Sequence, residues 1–161
     1  MKTFQTTRRV AHSAQDMFAL VADVESYPQF LPLCKTLKLT SREIIGGNEV
    51  LTADMTVAYK LFRERFTSRV TLDPDTHQIQ VDYLDGPFTH LENRWNFHDD
   101  GEGGCNVDFY IAYEFGAQPL QIAMGAIFNQ AFGKFAESFV ARADTVYGKP
   151  GENARTPLGS S

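Results

Sequence analysis

From Lys35 to Phe115 apolar and polar side chains alternate with a period of two, and the alternation breaks at Gly46-Gly47-Asn48, Asp73-Pro74-Asp75, Asp85-Gly86-Pro87 and Gly101-Glu102-Gly103-Gly104. Such breaks predict hairpin turns between antiparallel strands. One parity collects Leu51, Ala53, Met55, Val57 and Tyr59; Phe66, Val70 and Leu72; Ile79, Val81 and Tyr83; Leu91, Trp95 and Phe97; and Val107, Phe109, Ile111, Tyr113 and Phe115. The other parity carries Thr52, Asp54, Lys60, Arg63, Arg65, Arg69, Asp82, Glu92, Arg94, Asp108 and Glu114. A sheet with this pattern is greasy on one face and solvated on the other, so it needs a single cover.

The flanks supply that cover. Thr3 to His12 is extended in character, and Ser13 caps a short helix running to about Ala22, with Asp16 in its positive first turn. A second short helix or turn fits Glu25 to Phe30, closed by Pro28 and Pro32. From Pro119 to Tyr147, Leu120, Met124, Ile127, Phe128, Ala131, Phe132, Phe135, Phe139 and Val146 form one helical stripe. The order predicts an α+β helix-grip fold: a curved antiparallel sheet wrapped around a long C-terminal helix, with two short helices after the first strand. Residues 1–148 make one domain, and 149–161 are expected to be a disordered tail. Gly125 and Gly133 interrupt the long helix, either because the sheet approaches closely or to keep the helix pliable, and close packing is the preferred reading.

Composition narrows the function. The 161 residues are 43% hydrophobic and include 13 Phe, so bulky flat side chains fill the interior and leave irregular gaps. A net charge of -5 argues against DNA or general nucleic-acid binding. Cys34 and Cys105 lack metal-ligand spacing, and free thiols in a reducing cytoplasm are the economical reading. Arg8-Arg9 precedes no apolar run of signal-peptide length, and the uncharged stretch from Phe115 to Gly133 is interrupted by Gln118, Pro119, Gln121, Asn129 and Gln130, which argues against a membrane span.

A curved sheet and a helix cannot pack flush everywhere, so an apolar pocket between them is expected. Tyr27, Phe30 and Leu31 form either its rim or a packed corner. Met55, Met124, Phe128, Phe132 and Phe135 are set to line it, with Phe66, Val81, Phe88, Leu91 and Phe109 on the inward parity. The polar groups of that parity, Tyr59, Ser68, Tyr83, Asn93 and Tyr113, can hydrogen-bond a ligand or merely satisfy backbone groups. Trp95 can stack on a ring or fill the core. Arg63, Arg65 and Arg69 make an outward stripe suited to RNA or anionic lipid, or else a solvated face cross-paired with Glu92 or Asp82. His12, His77, His90 and His98 fall at strand ends or on outward parity, and only Glu64 has inward parity. No acid-base constellation or metal set is complete, so no catalytic residue and no metal are expected.

Three segments carry a resemblance: Asp23-Val24 with Tyr27-Pro28-Gln29-Phe30-Leu31-Pro32-Leu33-Cys34; Gly86-Pro87-Phe88 with Leu91, Trp95 and Phe97; and Phe139, Arg142, Ala143, Tyr147 and Gly148. Together they resemble the coenzyme Q-binding START-like family, whose bacterial members include proteins named ribosome association toxin A. Leu33 departs from the tryptophan common before the cysteine in that family, which removes a large contact at the pocket rim or corner. The resemblance implies a START-like helix-grip fold and a non-enzymatic lipid carrier. Its bound ligand, with no other cofactor, would be ubiquinone or another isoprenoid quinone, in support of respiration. It also implies, for some members, an effect on ribosomal subunit association. The wider superfamily adds polyketide cyclases and dehydratases as a third class. The expected location is the cytoplasm, with peripheral contact at the inner membrane face.

Overall fold

The computed structural model describes residues 1–149; the expected tail lies, from residue 150 onward, outside the described residues. Among these residues seven strands form one antiparallel sheet: β1 (Lys2–Val10), β2 (Cys34–Ile45), β3 (Asn48–Tyr59), β4 (Phe62–Asp73), β5 (Gln78–Asp85), β6 (Phe88–Asp99) and β7 (Cys105–Phe115). Their spatial order is β1-β7-β6-β5-β4-β3-β2, so consecutive hairpins run from β2 to β7 and β1 returns to pair with the last strand. Between β1 and β2 lie α1 (Ala14–Ala22) and a 3-10 helix (Val24–Gln29), and α2 (Gln118–Tyr147) follows β7. This is the helix-grip order read from the sequence.

Register shifts interrupt the ladders between Cys34 and Thr36, Leu39 and Ser41, Thr67 and Ser68, and Phe88 and His90. Bulges of this kind bend and twist the strands that carry them, which is how a sheet comes to curve around a helix. The inward parity holds, with Leu51, Ala53, Val70, Ile79, Leu91, Trp95, Phe97, Phe109 and Ile111 all buried. One hairpin carries no Gly or Asn signal: Tyr59 and Phe62 flank Lys60-Leu61, and Lys60 adopts left-handed backbone at φ 54°. At Gly86 (φ 144°) a Cβ would lie 2.5 Å from Phe66 Cβ, so the turn before β6 requires glycine to pass β4.

Local signals set the helices. Ser13 Oγ accepts a hydrogen bond from Asp16 N at 3.1 Å, capping α1, and Pro119 occupies the first turn of α2. Helix α1 lays Met17, Phe18 and Val21 into the core, with Phe18 edge-on to Phe97 at 6.2 Å. The C-terminal end of α2 is tied back to this region: His12 Nε2 lies 2.8 Å from Asp144 Oδ1, and the Tyr147 hydroxyl donates to Asp16 O at 3.1 Å. His12, expected at a strand end, does follow β1, but it is 6% exposed and serves as a buried clamp. Val146, expected on the apolar stripe, is 51% exposed; Ala143 and Tyr147 turn inward in its place.

The close packing expected of the two helix glycines holds at Gly125, which is buried, and fails at Gly133. At Gly125 a Cβ would meet Gln121 Nε2 at 3.1 Å and Lys2 Cε at 3.5 Å, both flexible side chains rather than the body of the sheet, and at Gly133 nothing lies within 4 Å. Gly133→Ala is therefore expected to stabilise the protein by about 1 kcal/mol, the helix propensity difference. Thermal unfolding checks this, with an expected rise of roughly 2–4 °C.

Candidate functional site

The helix axis comes closest to β1, β7 and α1. Over the other half of the sheet the space is spanned by side chains, and there they do not meet. The cavity between them has a volume of about 120 Å³. That is room for several water molecules and far beyond an ordinary packing defect, although smaller than a fully open site for a drug-sized ligand.

The floor of the cavity comes from the period-two parity: Leu37 of β2; Ala53, Met55 and Val57 of β3; Phe66, Ser68 and Val70 of β4; Ile79 and Val81 of β5; Phe88, Leu91, Asn93 and Trp95 of β6; and Phe109 and Ile111 of β7. The roof is Phe128, Phe132, Phe135 and Phe139, spaced by four, three and four along one stripe of α2. The third wall is the proline corner, with Val24, Tyr27, Leu31, Pro32, Leu33 and Cys34. Among the described residues no Asp, Glu, His, Lys or Arg lines the space.

Twelve of the residues read from the sequence as ligand-binding line the cavity: Tyr27, Leu31, Met55, Phe66, Val81, Phe88, Leu91, Trp95, Phe109, Phe128, Phe132 and Phe135. Five lie elsewhere. Phe30 braces the corner, its ring 5.2 Å from that of Phe139 and 5.2 Å from the Arg142 guanidinium. Tyr59 sits at the β3–β4 hairpin, 37% exposed beneath Lys60 Nζ. Tyr83, at the end of β5, accepts a hydrogen bond from Phe88 N at 3.1 Å. Tyr113 is fully buried between β7 and α2 and donates to Gly125 O at 3.2 Å. Met124 is buried in the core one helical turn before the roof begins. Glu64, the one inward carboxylate, is also outside the lining.

Several lining residues escaped the sequence reading. Ala53, Val57, Val70, Ile79, Ile111 and Phe139 fall on the recognised faces, and only their small size or central position hid them. Leu37 sits between the two β2 bulges, where alternation is lost. Leu33 holds left-handed backbone at φ 70°, a conformation that Leu does not advertise.

Polar atoms at the cavity are mostly committed. The Tyr27 hydroxyl donates to Val21 O, and burial, with Cys34 and Asp23 nearby, pushes its ionisation well above the usual phenol range. Asn93 Oδ1 accepts from Trp95 Nε1 at 2.9 Å and Asn93 Nδ2 donates to Tyr110 O at 2.8 Å. Both cysteines are free and buried. Burial pushes the Cys34 thiol up to about 11, and burial aided by Asp99 and Asp100 does the same for Cys105. In the unfolded chain these thiols ionise near 9. Between the two values the native state therefore holds protons that the unfolded state has released, so stability present below pH 9 is lost as pH rises toward 11. The melting temperature is expected to fall more steeply across that window in the wild type than in a Cys34→Ala, Cys105→Ala double variant.

On the outer face Arg69 lies directly opposite Asp82 of β5, as the cross-paired reading has it, but without a close ion pair. Arg63, Arg65 and Arg69 are exposed on β4, and among the described residues none makes an ion pair. Glu92 instead meets Arg94 at 3.7 Å, and Asp82 accepts from Gln80 Nε2 at 3.1 Å. Among the described residues no helix is long and apolar enough to cross a membrane.

Comparison with known proteins agrees with this architecture. Residues 10–140 match the family described as polyketide cyclase / dehydrase and lipid transport. The ribosome association toxin RatA of Pseudomonas aeruginosa is 31% identical over 144 residues, covering 89% of this chain and 96% of that protein. A mitochondrial coenzyme Q-binding protein of Drosophila melanogaster is 36% identical over 110 residues, 66% of this chain and 43% of that protein. An 18 kDa protein of Caulobacter crescentus, known from its solution structure, superposes with a TM-score of 0.77 at 31% identity, covering 92% of this chain and 100% of that one. The ZhuI aromatase/cyclase of a Streptomyces species shares the fold, with a TM-score of 0.75 at 17% identity, covering 89% of this chain and 93% of that one. A chain whose sheet grips a helix over an apolar cavity, and which matches that family model from residue 10 to residue 140, belongs to the polyketide cyclase / dehydrase and lipid transport family, with the RatA proteins among its relatives.

Proposed function

We propose that the protein is a carrier that reversibly encloses an isoprenoid quinone, ubiquinone or a close relative, and supports respiration. The observation that carries this reading is the apolar cavity roofed by phenylalanines and lined, among the described residues, by no acid-base pair and no cation. A prenyl chain buried there gains about 25 cal/mol per Å² removed from water, so a few isoprene units supply the affinity and polar contacts need only orient the ring. A charged lipid head would lose its hydration with no counter-charge to meet it. The same lining favours a carrier over a cyclase or dehydratase, because general acid-base chemistry needs a positioned His or carboxylate beside the substrate.

The test uses Trp95, the single tryptophan, which lies in the cavity wall. Titration with a short-chain ubiquinone is expected to quench its fluorescence saturably at one equivalent. Linear, non-saturating quenching, the same as that of free tryptophan in solution, contradicts the reading.

Loading from a bilayer calls for peripheral contact, at the cytoplasmic face of the inner membrane in this account. Leu61 at the β3–β4 tip is fully exposed and Ile122 in α2 is 75% exposed. Phe62, beside that tip, packs against the roof residue Phe128 at 6.1 Å. Lys60, Arg63 and Arg65 flank the tip and suit an anionic surface. Leu61→Asp with Ile122→Asp is expected to slow quinone pick-up from anionic vesicles by at least about tenfold, with equilibrium affinity in detergent unchanged.

A second reading is favoured by the exposed arginine stripe, which makes no ion pair among the described residues, together with the RatA relatives: contact with a ribosomal subunit that opposes subunit joining. Overexpression of the wild type would then raise free subunits in sedimentation profiles, and an Arg63, Arg65, Arg69 triple alanine variant would not. Identical profiles dismiss it.

A further inference from the structure

Ser68 stands apart from every other polar residue on the inner face. It lies in β4 between the lining residues Phe66 and Val70, is 6% exposed, and its hydroxyl has no hydrogen-bond partner among the described residues. The other polar groups of the interior are either held by hydrogen bonds or, like the unpartnered Gln121 Nε2 at the start of α2 and the Tyr83 hydroxyl, lie outside the cavity lining. Tyr83 accepts from Phe88 N, Tyr113 donates to Gly125 O, Tyr27 donates to Val21 O, and Asn93 is held at both ends by Trp95 and Tyr110. Unlike Gln121 Nε2, a buried nitrogen with no partner, Ser68 Oγ is not closed off from the cavity it lines, so its proton is free to meet a ligand there.

The backbone around Ser68 is also irregular. Across β3 it faces Ala53, whose methyl group leaves the hydroxyl uncovered. Toward β5 the ladder slips at this position: Thr67 pairs with Asp85 but Ser68 pairs with Tyr83, leaving Leu84 unmatched. Bulges concentrate beside binding sites because they re-aim side chains. Thr67, the next residue, directs its own hydroxyl to the Asp54 carboxylate, so the two neighbouring hydroxyls serve different faces.

We infer that Ser68 Oγ–H is the donor that selects an uncharged ligand oxygen, a ring carbonyl, and so places the quinone ring on the β4 floor with the prenyl chain under the phenylalanine roof. This rests on the carrier reading and adds to it the residue that discriminates a quinone from a plain isoprenoid hydrocarbon. Position agrees with chemistry: Tyr83, opposite Ser68, holds the start of β6 through Phe88 N, so the ring lies beside the Gly86 to Leu91 turn.

The experiment displaces a neutral dye, N-phenyl-1-naphthylamine, with either ubiquinone carrying two isoprene units or farnesene, which has no oxygen. It compares wild type, Ser68→Ala and Ser68→Thr. Ser68→Ala is expected to weaken the ubiquinone about three- to tenfold, the usual range for one neutral hydrogen bond, with farnesene unchanged and Ser68→Thr within about twofold of wild type. The carbonyl stretch of bound ubiquinone should move to higher frequency in Ser68→Ala, a shift that a purely structural role would not produce. If ubiquinone binds both proteins equally, or both ligands weaken together, the Ser68 assignment falls and the carrier reading stands. If wild type takes farnesene but not ubiquinone, both fall.

Discussion

Ala53→Phe is expected to reduce quinone binding by at least about tenfold while leaving the protein folded. Ala53 is 2% exposed on β3, opposite Leu39 on one side and Ser68 on the other, and its methyl group faces the cavity. A phenyl ring there points into space that no atom occupies, where the prenyl chain is proposed to lie. Overpacking a filled core costs about 1–3 kcal/mol, but a ring that enters a void offsets much of that by gaining contacts. The melting temperature should therefore shift by no more than a few degrees while saturable quenching of Trp95 disappears. If quinone still binds at wild-type affinity, the ligand is somewhere else. If the protein unfolds instead, the void is smaller than the geometry indicates.

Phe139→Ala should have the opposite signature, a large loss of stability. Phe139 is 1% exposed, and the rings of Tyr27, Phe30 and Trp95 meet it edge-on with centroids at 5.4, 5.2 and 5.1 Å. It thus ties helix α2 to both the proline corner and the sheet floor. Removing a ring from such a site costs about 3–5 kcal/mol, because the transfer term adds to that of the cavity left behind. Thermal unfolding should fall by roughly 10 °C or more. Arg142 bridges the same corner from outside, its guanidinium donating to Gln29 Oε1 at 2.9 Å and lying over Phe30, but an exposed contact of this kind is worth far less. Phe139→Leu, which keeps most of the apolar volume, should recover more than half of the loss.

How far the sequence foretold this arrangement depends on which physical signal each residue carries. Alternation is robust where one face is buried, so the floor from β3 to β7 and the phenylalanine roof were both legible, and with them the cavity between sheet and helix. Chain ends and bulges break that signal. Tyr59 and Tyr83 share the inward parity, yet each lies at a strand terminus, where parity no longer implies burial in the pocket. Leu37 was hidden by the β2 bulges, and Leu33 by a backbone conformation that side-chain chemistry does not announce. Tyr113 was correctly placed inward, but a parity argument does not reveal that its hydroxyl is spent on Gly125 O. The same limitation left Ser68 as one of five equivalent polar candidates until the hydrogen bonds of Tyr83, Asn93 and Tyr113 and the exposure of Tyr59 at its hairpin could be assigned. Gly133 shows the converse error: a helix glycine suggested close approach, and the structure has open space there.

What the cavity contains decides between a ligand carrier and a fold of other purpose. Protein purified without detergent, extracted with organic solvent and analysed by mass spectrometry for lipids, addresses that directly. The account predicts an isoprenoid quinone recovered in a substantial fraction of an equivalent from the wild type and absent from Ala53→Phe purified in parallel. Recovery of no quinone, together with failure of the extracted protein to take up added ubiquinone, would contradict it.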